Sequence, residues 1–91
     1  MSKWTPQGLQ NIKQSPTRLD AGRKAYEALG VKMTSFFMTT GQYDMVAIVE
    51  APGDATLAKA ILATASQGSL TTETCRAFPE NEYRQIITGL A

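Results

Sequence analysis

The apolar positions of this chain follow two periodicities, and the switches between them lay out its elements. Met45-Val46-Ala47-Ile48-Val49 is the most apolar strand. Side chains alternate along a strand, so Met45, Ala47 and Val49 share one face and Val46 and Ile48 the other. A strand apolar on both sides is buried on both sides. Thr40-Gly41-Gln42-Tyr43-Asp44 feeds it as a tight turn. There Gly41 supplies a positive φ at little steric cost and Asp44 bonds nearby backbone groups. The partner strand is Val31–Thr40, rich in β-branched and aromatic residues, with adjacent Phe36 and Phe37 pointing to opposite faces.

Helical spacing takes over on either side of this hairpin. Thr5 and Pro6 read as the N-cap and first position of a short helix that carries Leu9 and Ile12 on one side. A longer helix is predicted from Pro16 to Leu29, with Leu19, Gly22, Tyr26 and Leu29 on one stripe and Gly30 ending it. Pro52-Gly53-Asp54 breaks the central strand. Asp54 is expected to cap a helix over residues 55–67, whose apolar face holds Leu57, Ala58, Ile61, Leu62 and Ala65. Gly68 closes that helix. A polar strand, Ser69–Phe78, follows, and Pro79 opens a terminal helix with Tyr83, Ile86 and Ile87 as its docking stripe.

With a short strand at Ser2-Lys3-Trp4, the order is β-α-β-β-α-β-α. Two β-α-β halves joined by the hairpin make an α+β, ferredoxin-like split β-α-β with an antiparallel sheet. Right-handed crossovers place the first strand between the third and the fourth and both main helices on one face. The other face would expose an apolar patch, which monomers rarely tolerate. Pairing two such sheets face to face buries it and predicts a C2 homodimer.

Ninety-one residues form one domain, 1–91, in which a partner subunit adds stability. A net charge of +1 argues against nucleic-acid or anionic-membrane binding by bulk charge. The chain has no apolar run near the roughly 18 residues of a membrane span and no export signal. One cysteine excludes an internal disulfide, so a cytoplasmic setting is expected. Histidine is absent, which removes the commonest general base and the commonest metal ligand. No metal and no cofactor are implied.

Gly41-x-Tyr43-Asp44 resembles the turn of the GYD-domain family. The resemblance runs from about Thr5 to Tyr83 and includes Thr5-x-x-Gly8, Ser15-Pro16-x-Arg18, Glu50-Ala51-Pro52 and Thr74-x-x-Ala77-Phe78. It implies a dimeric α+β-barrel fold and no particular function. Members usually carry a full strand before Thr5, whereas four residues precede it here and reach only about 13 Å at roughly 3.3 Å per residue. The expectation is a shortened first strand around Ser2-Lys3-Trp4. Backbone beside Met45–Glu50 and Leu70–Phe78 is then left as a template for strand addition, unless the natural chain start lies further upstream.

Five residues are candidates for ligand binding. Glu50 sits at the end of the apolar strand, either at the rim of a cavity or as a solvated strand-end charge. Glu73 lies on the polar strand, which either lines a pocket or forms a solvated edge. Tyr43 and Asp44 place a phenol and a carboxylate at a pocket mouth, or serve the hairpin alone. Arg18, a cation near a helix start, calls for a carboxylate or an anionic ligand, with a structural ion pair preferred. Cys75 is expected as an inert core thiol and Trp4 as packing on the sheet. Three functions stay open: a homo-oligomeric small-molecule-binding or regulatory protein, a cofactor-free enzyme for a small organic acid or aromatic, and an assembly protein using strand addition. Itself, and a small-molecule ligand, are the expected partners.

Overall fold

The computed structural model describes residues 1–90. Its elements are β1 (Ser2–Trp4), α1 (Pro6–Gln10), a 3-10 turn (Ile12–Gln14), α2 (Ser15–Ala28), β2 (Lys32–Met38), β3 (Met45–Glu50), α3 (Asp54–Ser66), β4 (Leu70–Thr72) and α4 (Glu80–Thr88). The four strands form one antiparallel sheet in the order β2-β3-β1-β4, the ferredoxin-like arrangement.

Local chemistry explains the boundaries. Thr5 caps α1: its hydroxyl accepts the Gly8 N–H at 3.1 Å and donates to the Gly68 carbonyl at 2.5 Å. Its own N–H reaches the Ser69 carbonyl at 3.0 Å. One residue thereby starts a helix and ties it to the turn between α3 and β4. Gly30 (φ 82°) ends α2 and Gly41 (φ 121°) turns the hairpin, each in a conformation that side-chain-bearing residues rarely adopt. At α3 the structure differs from the expectation by one residue. Gly53 holds the cap position in an extended conformation, and Asp54 is the first helical residue, where its charge suits the helix dipole without a capping bond.

β2 and β3 pair along their whole length, from Lys32 opposite Glu50 to Met38 opposite Met45, with an irregularity between Met33 and Ser35. β1 is short as expected and meets β3 only at Ser2 opposite Met45. Asp44 extends that contact. Its N–H donates to the Ser2 carbonyl at 2.9 Å and its carboxylate accepts the Trp4 N–H at 3.0 Å. The side chain expected to bond locally instead serves a strand 40 residues away.

Cross-strand partners share a face. Met33, Phe36, Met45, Ala47 and Val49 therefore lie on the side covered by α2 and α3, which are joined through Tyr26 and Thr64 hydroxyls 2.8 Å apart. The fully buried apolar residues, Val31, Met45 and Ala60, sit here. Trp4 packs on this side too, with its indole nitrogen buried and unpaired. The other face is uncovered. It carries Phe37, 56% exposed, and Ile48, 47% exposed, with Val46 between them.

The expected strand Ser69–Phe78 is shorter than its polar, β-prone sequence suggests. β4 stops at Thr72 because its ladder with β1 stops there, with one further exchange between Met1 and Glu73. Residues 73–79 continue as extended backbone and α4 follows. Every residue from Thr71 to Leu90 is exposed. The docking stripe expected on the terminal helix is present, but it does not dock on its own sheet: Tyr83, Ile86 and Ile87 are each about half exposed. The extended segment carries them away from the body, and the molecule is 52 Å long and 17 Å thick. Cys75, expected in the core, is exposed on this arm for the same reason.

Candidate functional site

The hairpin and the start of the arm meet on the open side of the sheet. Lys3 and Thr71 are cross-strand partners, and Tyr43 stands beside them at the end of the turn. The Tyr43 phenol donates to a carboxylate oxygen of Glu73. The Lys3 ammonium lies 5.6 Å from the centre of the Tyr43 ring, within cation–π range. The Met1 amino group donates to the Glu73 carbonyl at 2.9 Å. Together with Gln42 and Thr72, these groups line a shallow groove of about 270 Å³. A phenol, a carboxylate and two ammonium groups thus converge at one surface position.

The hydrogen bond to Glu73 raises the Tyr43 pKa above its ordinary value of 10.0, with smaller contributions from burial and from the negative charge of Glu73. The phenol therefore keeps its proton throughout the neutral range. It acts as a donor to the carboxylate and not as a base.

The five candidates do not form one site. Tyr43 and Glu73 meet. Asp44, next to Tyr43, is occupied in holding β1. Glu50 is exposed at the far end of β3, opposite Lys32, roughly 13 Å further along the sheet than the Glu73 level at about 3.3 Å per residue. It lines neither of the two shallow grooves, at Arg76–Ile86 and at Met1–Glu73. Arg18 donates to the carbonyls of Asn11 (2.8 Å) and Gly8 (3.4 Å) at the end of α1. Backbone carbonyls, not the expected carboxylate, hold this cation. Lys3 escaped the sequence reading, although strand alternation puts it on the face opposite Trp4. Among the described residues, no three or more Cys, Asp or Glu side chains are grouped so as to hold a metal ion. No described helix is long and apolar enough to cross a membrane.

The second surface is the arm. Phe78, Tyr83, Ile86, Ile87 and Leu90 are between 47% and 68% exposed. Arg76 stacks on the Phe78 ring at 4.9 Å, and the two line a shallow groove with Glu82, Gln85 and Ile86 of α4. Contiguous exposed apolar surface of this extent is unusual on a monomeric protein.

Fold and surface together define a small α+β domain of ferredoxin-like topology with an open apolar sheet face and a protruding amphipathic arm. The profile of the GYD domain matches residues 1–87, and the chain belongs to the GYD-domain family. It is similar to a protein of the bacterium Thermus thermophilus described as a glutamine synthetase and cystathionine beta-lyase binding protein. The two are 34% identical over 80 residues, which is 87% of this chain and 84% of the relative. No solved structure matches the chain.

Proposed function

We propose that this protein is a cytoplasmic, homodimeric regulatory module that acts by binding other proteins, metabolic enzymes in particular. One observation carries the reading: a single chain leaves its core unfinished. Three apolar residues are fully buried, and the accessible surface is 6843 Å². A compact monomer of 9.9 kDa exposes roughly 5,200 Å². The excess, on the order of 1,600 Å² per chain, is twice the roughly 800 Å² that each partner buries in a standard interface. The radius of gyration, 14.9 Å, likewise exceeds the roughly 12 Å of a compact chain this long. The relative that binds glutamine synthetase and cystathionine beta-lyase supplies the class of partner.

The test has two parts. Light scattering after size exclusion at low micromolar concentration should return twice the chain mass. Immobilised protein should then retain glutamine synthetase or cystathionine beta-lyase from its own host saturably. A monomer that retains neither enzyme overturns the proposal.

A second reading adds a small polar effector in the Tyr43–Glu73 groove, supported by the convergence of phenol, carboxylate and ammonium groups there. Native mass spectrometry of protein purified from its host should show added mass that Glu73→Gln removes. Unchanged mass in both forms discards this reading.

A further inference from the structure

We infer that the groove between the hairpin and β4 binds a free α-amino acid as its zwitterion: the Lys3 ammonium meets the ligand's carboxylate, and the Glu73 carboxylate meets its α-ammonium. The inference rests on the effector reading above and names the chemical class of that effector.

Three observations converge on a zwitterion. First, the groove holds opposite charges that do not neutralise each other. Lys3 stands over the Tyr43 ring and Glu73 accepts from the Tyr43 hydroxyl, yet the salt bridges among the described residues are Asp20–Arg23 and Glu80–Arg84. The strand register explains the separation. Lys3 lies opposite Thr71, and Glu73 is two residues further along, so the two side chains leave the same face about 7–8 Å apart. The Tyr43 phenol occupies one lone pair of the Glu73 carboxylate, which has roughly four acceptor sites to offer. A simple anion would satisfy Lys3 and set like charge against Glu73; a simple amine would do the reverse. Second, the groove is small and polar. Its volume of about 270 Å³ is below the roughly 300 Å³ at which pockets for drug-sized ligands begin, and Gln42 and Thr71 add an amide and a hydroxyl to its lining. Third, its position makes unmatched charge costly. Ser2 pairs with Met45 on the covered side, so Lys3, its neighbour, lies on the open side. In the face-to-face homodimer the groove then looks toward the second sheet at the hairpin end. Charges drawn from water are tolerated only when paired, and an amino acid pairs both at once.

Calorimetric titration of the intact protein with each of the standard amino acids, at millimolar concentration, tests the assignment. At least one should bind with a sub-millimolar dissociation constant. Its deamino analogue and its α-carboxamide should each bind about tenfold or more weakly, because each leaves one groove charge unmatched. Glu73→Gln should erase the preference over the deamino analogue, and Lys3→Gln the preference over the carboxamide. Both positions are exposed, so these substitutions spare the fold. Glu50→Gln, at the exposed far end of β3, should leave the affinity unchanged. The inference is overturned if no amino acid binds, if the deamino analogue binds as tightly as the amino acid, or if both groove variants bind like the unsubstituted protein. Native mass spectrometry of protein purified from its host separates this inference from the reading beneath it. A retained mass that Glu73→Gln removes, but that is not an amino acid, keeps the effector and overturns its assignment. No retained mass and no titratable binding overturns both.

Discussion

Residues 1–70 hold every buried residue of the described chain, and residues 71–90 hold none. Yet the arm carries the same kind of sequence signal as the body. α3 in the body and α4 in the arm each present an apolar face. Ala60 of α3 is sealed against the sheet, while Ile86 and Ile87 of α4 are about half exposed. An amphipathic stripe reports that a helix needs a partner surface; it does not report whose surface that is. In the body short loops return the helix to its own sheet and to α2. In the arm an extended linker moves the helix out of reach.

This contrast can be broken at the body first. The Cβ of an alanine at Gly8 would collide with the Ser69 carbonyl oxygen, a backbone atom that cannot move aside alone. Gly8→Ala should cost about 3 kcal/mol or more, read as a lowered midpoint in urea. Gly89→Ala, whose Cβ would meet its nearest neighbour at 3.4 Å, should be close to neutral. If Gly8→Ala is also neutral, the tight closure of the body is wrong.

Next in size is the arm. Ile87→Asp places a charge on the stripe and should weaken the proposed homodimer by about 2 kcal/mol, roughly thirtyfold in dissociation constant. Sedimentation across a concentration series reads that shift. The helical signal should be retained, because no contact within the body is lost. A smaller loss is expected at the cap: Thr5→Ala should remove about 1 kcal/mol from the body, seen as a lower melting temperature. Asp44→Ala leaves the Trp4 N–H without its acceptor and should cost a similar amount, about 1 kcal/mol. Exchange at the Trp4 amide should rise even where the melting temperature moves little.

The smallest effect lies where body and arm touch. Tyr43 has its pKa raised in the folded state by its hydrogen bond to Glu73. A raised pKa means that the bond contributes stability below the unfolded value of about 10 and that this contribution is lost as pH rises through the folded value. Phenolate absorbance of Tyr43 should therefore appear above pH 10 and move down in Glu73→Gln. Tyr43→Phe should flatten the alkaline loss of stability slightly and leave neutral pH nearly unchanged. Ordinary titration of Tyr43 in the unsubstituted protein would remove the Tyr43–Glu73 pair from the candidate site.

Much of the fold is legible in the sequence because its signals are local. Thr5 with Pro6, Gly30 and Gly41 act within a few residues of themselves, and they place two helix boundaries and the hairpin. The alternation in Met45–Val49 identifies the central strand. Asp54 falls one position from its expected place because a cap depends on which residue first turns helical, a choice shared among several backbone dihedrals. The candidate site is legible only in pieces. Tyr43 and Glu73 each stand out, but their meeting depends on the β1 register that brings a hairpin and a fourth strand together across 30 residues. Glu50, on the same sheet, remains apart, and Lys3 carries no signal of its own beyond strand alternation.

The sequence by itself determined the element order, the strand sequence of the sheet and the presence of a terminal amphipathic helix. These follow from side-chain periodicity, backbone preference and the handedness of crossovers, all of which act over short stretches or through general rules. Only the tertiary structure decided that β4 ends at Thr72, that the stripe of α4 finds no seat on its own body and that Tyr43 bonds Glu73. Those outcomes depend on which backbone groups find partners and how far the chain carries a side chain before it can pack, and neither is written in any one segment.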